Sequence, residues 1–318
     1  MDADESWPPL PYEEWAATKK TLHLCTQLLG KTRLALAQPQ PEWLHASLQL
    51  DGRGFTTGAM TADATLLHAG FDVMTSALWL RRSDGRERSV PVTNGRCVAD
   101  VWDDYLGALR ALEVEADLWD KPQEVADTTP LSENTHDCTL SPDQAQRFHR
   151  ALTAVYGVLD EFRSSFFGRT GVQFWWGSFD LSVLLFSGRR LVPPDDRGYL
   201  ARYDRDAEHL SAGFWPGDDS SPEPIFYGYL LPQPSGCETA PVEPVQAGWV
   251  EAMSEWVLPY EAVRSSNDPR RTALAFLTAV YKAAVTIGGW AAEDFTYEAP
   301  SASRRGHDGS GRSETGAP

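Results

Sequence analysis

The apolar positions of this chain switch between two periods, and the switches mark its elements. Over residues 12–36, Trp15, Leu22, Thr26 and Leu29 recur at helical spacing, and Pro39 and Pro41 stop the segment, which predicts a first helix. WLHASLQL, residues 43–50, alternates instead. Leu44, Ala46, Leu48 and Leu50 are apolar while His45, Ser47 and Gln49 are polar, the pattern of a half-buried strand. The turn DGRG (51–54) leads into FTTGAM, and FDVMTSALWLRR with RERSVPV reads as a hairpin around Ser83-Asp84-Gly85. CVADVWDDYLGALRALE is a second helix, and VEADLW adds a strand.

A polar connector rich in Pro and Thr, residues 120–140, separates this part from a second. Ser141 as cap, Pro142 at the first helical position and Gln144 completing a capping box start a helix expected to reach Phe167. There follow the alternating strand FWWGSFDLSVLLFSGR (174–189), a looped region and the strand IFYGYLLPQP (225–234). A short helix over 248–257 and a last one from Asp268-Pro269 to Ile287, stopped by Gly288-Gly289, complete the order.

Helix, alternating strand, loops, strand and helix thus occur twice. Setting Trp43 on Trp176 lays His45, Ser47 and Gln49 on Ser178, Asp180 and Ser182, and Gly52-Arg53 answers Gly188-Arg189. An internal duplication is one reading and chance similarity of two amphipathic strands is the other. The expected class is α+β, an antiparallel sheet with flanking helices, in two fused halves of similar order. The halves are 1–119 and 141–298, joined by the 120–140 connector. The Gly/Ser/Arg-rich tail 299–318 is too poor in apolar residues to fold.

Composition narrows the function classes. Twelve Trp, 13 Phe and 10 Tyr supply a large core, and 318 residues suffice for two domains at roughly 150 each. With 28 Lys+Arg against 45 Asp+Glu the net charge is −17, which repels phosphate backbones and anionic lipid. Nucleic acid and membranes are therefore not expected partners. Cys25, Cys97, Cys138 and Cys237 stand far apart, as reduced thiols do, rather than in a disulfide framework or zinc site. The start MDADESWPPL lacks the pattern of a signal peptide, and no run of roughly 18 uncharged apolar residues occurs. A cytoplasmic location is expected. Gly-rich phosphate loops and H-E-x-x-H are absent, and Gly177-Ser178 lacks the second glycine of a nucleophile elbow. No metal is expected, the cofactor is left unassigned, and the oligomeric state is unread.

Three constellations remain. In the 174–189 stretch, Phe179, Leu181, Val183 and Leu185 share one face, and Trp176, Ser178, Asp180 and Ser182 share the other. The first is core; the second is either wet or the floor of a cavity. On the first helix Lys19, His23, Gln27 and Lys31 stand four apart with Arg33 close by. This stripe without an acid would suit a carboxylate or phosphate, or else is a solvated face, with Lys19 its wet end. In AEHLSAGFWPG (207–217), Glu208 and His209 are acid–base types that point opposite ways if the segment is extended, and Phe214 and Trp215 plug a core from a loop.

The leading expectation is a small-molecule binding protein. Trp176, Ser178 and Asp180 floor its pocket with Trp215 beside it, and His23, Gln27, Lys31, Arg33, Arg53 and Arg189 draw in an anionic group. One alternative is an enzyme with Asp180 or His23 as acid–base and Arg53 or Arg189 holding an anionic substrate. The other is a partner-binding protein whose aromatic face is an interface.

TLHLCTQLLGKTRLAL, GRGFTT, VQFWWGSFDLSVLLFSGR, SAGFWPG and LPYEAVR with a following Asp-Pro resemble an uncharacterised bacterial family, domain-of-unknown-function family 5996. The likeness spans residues 7–297. It implies no particular reaction. In that family a histidine commonly stands where this chain has Gln173, and another where it has Ala207. That departure implies binding rather than hydrolytic chemistry for this chain.

Overall fold

Leu48 and Phe174 exchange backbone hydrogen bonds of 2.8 and 2.9 Å, and this single bridge ties together two antiparallel sheets, one from each half of the chain. The computed structural model describes residues 6–192, 205–291 and Thr296, and over them the α+β class holds. The tail from 299 onward lies outside the described residues.

The first helix, α1 (Tyr12–Leu36), has Glu13 and Glu14 in its first turn, where they complement the helix dipole. It is buried on nearly every side, the apolar stripe and the Lys19–Lys31 stripe alike. Strands β1 (Gln49–Asp51), β2 (Gly54–Thr56), β3 (Met60–Ala62), β4 (Thr65–Asp72), β5 (Ala77–Arg82) and β6 (Glu87–Pro91) form the first sheet. Its order is β1-β2-β4-β5-β6, with β3 on β4. Helix α2 (Val98–Ala111) closes this half. The connector that follows holds no helix or strand beyond a single Cys97–Asp137 bridge.

Helix α3 (Pro142–Ser164) opens the second half. Ser141 accepts from the Gln144 backbone, but the Gln144 side chain bonds Thr18 and the Glu14 carbonyl of α1, so the capping box is only half made. Strands β7 (Gln173–Trp175), β8 (Asp180–Arg190), β9 (Ala207–Trp215), β10 (Ile225–Leu231), β11 (Gly248–Val250) and β12 (Glu255–Pro259) form the second sheet in the order β11-β12-β10-β9-β8-β7. Helices α4 (Tyr260–Arg264) and α5 (Pro269–Gly288) finish the chain, α5 capped by Asp268 and ended by left-handed Gly289. Leu181, Val183, Phe214 and Phe226 turn to the helix side, where α3 and α5 pack.

Several expectations are corrected. Residues 43–47 are not strand: Pro41–Trp43 is a 3-10 turn with Glu42 and Trp43 at positive φ, because Glu42 is tied to Asp206 and Ala207 across the molecule. Trp176–Phe179 is likewise a turn, so Trp43 and Trp176 do not superpose as strand residues. FDVMTSALWLRR breaks after Asp72, whose side chain accepts from the Met74 and Thr75 backbones and makes a second hairpin. VEADLW has no strand partner, and α3 ends at Ser164 rather than Phe167. Residues 248–257 are no helix but the β11–β12 hairpin, turning at left-handed Ser254 and clasped by Trp249 against Trp256.

Candidate functional site

A cavity lies on the outer face of the second sheet, over β8, β9 and β10. The register sets Ser182 of β8 opposite Gly213 of β9 and Leu184 opposite Ser211, and sets Gly213 and Ser211 opposite Tyr227 and Tyr229 of β10. A Cβ at position 213 would stand 2.6 Å from the Ser182 Cβ and 2.4 Å from the Leu181 carbonyl oxygen, so a side chain there has no room. The cavity has a volume of about 300 Å³. Trp175, Asp180, Leu184, His209, Ser211, Tyr227 and Tyr229 line it from the sheet, while Trp43, Glu124 and Trp176–Ser178 line it from the loops.

The hairpin turn between β7 and β8 is held by its tryptophans. Trp176 donates its indole N–H to the Ala46 carbonyl at 2.9 Å and lies flat on α1 at Gly30, where a Cβ would come within 2.2 Å of the ring. Trp175 donates to Ser182 Oγ at 2.8 Å. Phe179 takes a left-handed φ of 64°, which turns its ring into the core against His23, Phe148 and Phe174 while Ser178 and Asp180 face the cavity. A non-glycine residue held there stores about 1 kcal/mol or more of strain.

Asp180 is the electrostatic centre. It is only 6% exposed, and its carboxylate accepts from the Ser178 and Tyr227 hydroxyls. No lysine, arginine or histidine pairs with it among the described residues. Burial pushes its pKa up to about 6, against the downward pull of the two hydroxyl bonds. Glu255 is raised to about 7, by burial first and by Asp180 second. His209 moves the other way, down to about 4, because its buried ring disfavours the charged form. Its Nδ1–H donates to the Ala207 carbonyl at 3.0 Å, with the Glu42 carboxylate 3.5 Å away, which leaves Nε2 as the basic nitrogen.

The structure divides the residues singled out in the sequence. Trp176, Ser178 and Asp180 do line the cavity. The α1 stripe is buried and mostly structural. His23 Nε2 lies 2.9 Å from both the Trp176 and Gly177 carbonyls, and burial lowers its pKa to about 4, so a neutral ring donates to the turn. Gln27 brackets Gln123 with bonds of 2.8 and 3.1 Å, and Lys31 donates to the Lys121 carbonyl at 2.8 Å under the Trp119 and Trp176 rings. Arg33 braces the His45 and Thr57 carbonyls. Arg53 pairs with Asp72, and Arg189 with Glu208 and the end of α5. These cations are not gathered round the cavity, and no Lys or Arg is among its described lining residues. Trp215 donates to the Ser178 carbonyl from the far side of the turn.

Tyr227, Tyr229 and Glu42, which also line the cavity, escaped the sequence reading. IFYGYLL does show the two tyrosines two apart, the spacing of one strand face, but only the strand pairing brings them to Asp180. Gln173 accepts from Ser47 at 2.5 Å, and neither it nor Ala207 lines the cavity. Among the described residues no cluster of three His, Cys, Asp or Glu is placed to hold a metal ion, and no helix is long and apolar enough to cross a membrane. All four cysteines are free thiols.

No curated protein and no solved structure matches this chain. One family model does, that of a family of unknown function, DUF5996, over residues 7–297. With nearly the whole chain matched, this protein belongs to that family.

Proposed function

We propose that this is a cytoplasmic small-molecule binding protein whose site is the cavity on the outer face of the second sheet. The observation that carries the reading is Asp180: a carboxylate buried in an aromatic cavity, met by two hydroxyls and its own backbone N–H and by no cation among the described residues. Such a group lowers stability at neutral pH, and the fold around it, with Trp176 seated on Gly30, holds it in position. Its chemistry suits a ligand that brings a hydrogen-bond donor or an amine. The faces of Trp175, Tyr227 and Tyr229 add attraction for a cation or a planar ring. The anionic ligand suggested by the α1 stripe does not suit this cavity, because Lys31, Arg33, Arg53 and Arg189 are engaged elsewhere.

A thermal-shift screen of small amines, with neutral analogues of each as controls, tests the reading. A ligand at a hundred times its Kd should stabilise the wild type by about 2.7 kcal/mol. It should leave Asp180→Asn unmoved. Hits that stabilise both proteins equally, or no hits among amines, would count against it.

Acid–base catalysis is a second reading, favoured by one observation: the same cavity holds a carboxyl raised to about 6 and an imidazole lowered to about 4. Environments that push two titrating groups past each other are characteristic of acid–base pairs. If a substrate is found, its turnover should fall as Asp180 titrates, and a rate flat from pH 5 to pH 8, roughly a unit or two either side of that pKa, would exclude Asp180 from the step.

A further inference from the structure

Lys19 is the one member of the α1 stripe without a hydrogen bond. It is 5% exposed, and its Nζ lies 5.6 Å from the centre of the Tyr12 ring and 5.3 Å from that of Phe179. It forms no ion pair and meets no acceptor among the described residues. Lys31, equally buried three turns on, has the Lys121 carbonyl. An ammonium carries three donors, and two ring faces satisfy none of them as a hydrogen bond would.

The acids nearest to it are committed elsewhere. Asp218 accepts from Ser220 and Ser221 within its own turn, and Asp219 takes the Tyr12 hydroxyl at 3.1 Å and the Lys20 ammonium at 2.9 Å. Both lie beyond ion-pair range of Lys19 and only partly offset its burial, which lowers the pKa to about 8. From its own helix, His23 is neutral. From the connector, Asp127 is held by Asn134 and His136, and Glu124 and Asp137 sit on the wall.

This lysine borders a second cavity, of about 580 Å³, between α1, the connector and the 215–220 loop. Most of its wall area is apolar, with Leu24, Val98, Val125 and Trp215 among the residues, and the carboxylates of Glu124, Asp127, Asp137, Asp218 and Asp219 line the rest with Lys19 and Lys20. It lies on the opposite side of the hairpin turn from Asp180. Ser178 borders both cavities, its carbonyl taken by Trp215 and its hydroxyl given to Asp180.

We propose that this second cavity binds a small apolar monocarboxylic acid, whose carboxylate pairs with the Lys19 ammonium and whose aromatic or hydrocarbon body rests on Leu24, Val98, Val125 and Trp215. The acids on the wall and the net charge of −17 disfavour phosphates and dicarboxylates, so a single negative charge on an apolar body is the fitting class. The anion site expected at Lys31 belongs at the other end of the same stripe.

The test is calorimetric binding of benzoate, phenylacetate and octanoate to the full chain, each beside its uncharged amide. At least one carboxylate should bind at pH 7 and its amide at least tenfold more weakly, the loss of one charge-assisted contact being worth about a factor of ten or more. Lys19→Met should lose the same factor, while Asp180→Asn, which belongs to the first cavity, should bind the acid as the wild type does. If Lys19→Met does not fold, the wild type decides alone: affinity should fall about tenfold per pH unit above pH 8, as the ammonium loses its proton. Three inert carboxylates, equal binding of acid and amide, or affinity unchanged from pH 7 to about pH 9.5 would each overturn the proposal.

Discussion

Asp180 is a carboxyl whose proton is held more tightly in the folded protein than in the unfolded chain, at about 6 against an ordinary 3.8. The sign of its effect follows. The favourable contribution is complete below pH 3.8 and is lost as pH rises through 6, so at pH 7 the ionised carboxylate lowers stability. Asparagine keeps the shape and can still accept from one hydroxyl, without the charge. Asp180→Asn should therefore be more stable than the wild type at pH 7, by about 1–3 kcal/mol, with the advantage gone by pH 4. Urea titrations at the two pH values measure it. A variant less stable at pH 7 would show that Asp180 has a structural partner. The sequence placed Asp180 on the polar face of an oily strand, and that much was readable from alternation alone. The pairing with Tyr227 was not, because it joins positions 47 residues apart through strand register.

Glycine in the middle of a helix ordinarily weakens it by about 1 kcal/mol relative to alanine. At Gly30 of α1 the expectation is reversed, since a Cβ would overlap the Trp176 indole at 2.2 Å and the helix's own preference cannot compensate. Gly30→Ala should lose about 1–3 kcal/mol by overpacking, read from its denaturation midpoint, and should disturb the cavity through the displaced turn. A stabilised Gly30→Ala would mean that Trp176 does not sit on this helix. Elements of uniform period, α1, α2, α3 and α5, were readable to within a few residues because their caps are local: Ser141 and Pro142, Asp268 and Pro269. The misread elements depend on distant partners. WLHASLQL alternates like a strand, yet Glu42 anchors its start to Ala207, and the 248–257 segment pairs with itself around a left-handed serine. The α1 stripe misled for the same reason: four polar side chains in a row look wet until the connector and the hairpin turn cover them.

Each half of the chain runs helix, antiparallel sheet, helix, and the two halves meet through their corresponding parts. First strands β1 and β7 meet at an isolated bridge from Leu48, just ahead of β1, to Phe174, and first helices α1 and α3 pack with Trp15 on Phe148 at 4.6 Å between ring centres. The halves also share a core, Trp176 resting on Gly30 and Trp15 on Phe148, so they should unfold together. Tryptophan fluorescence and far-ultraviolet circular dichroism should give coincident urea transitions, and two separated transitions would mean that the halves are independent domains. At this scale the first cavity lies close to where the halves join, its walls drawn from Trp43 of one and Asp180, His209 and Tyr227 of the other. Native mass spectrometry of the protein purified from its own cells, wild type and Asp180→Asn side by side, tests that assignment most directly. The wild type should carry a small-molecule adduct that the variant lacks; the same adduct on both, or none on either, would contradict a binding site built on Asp180.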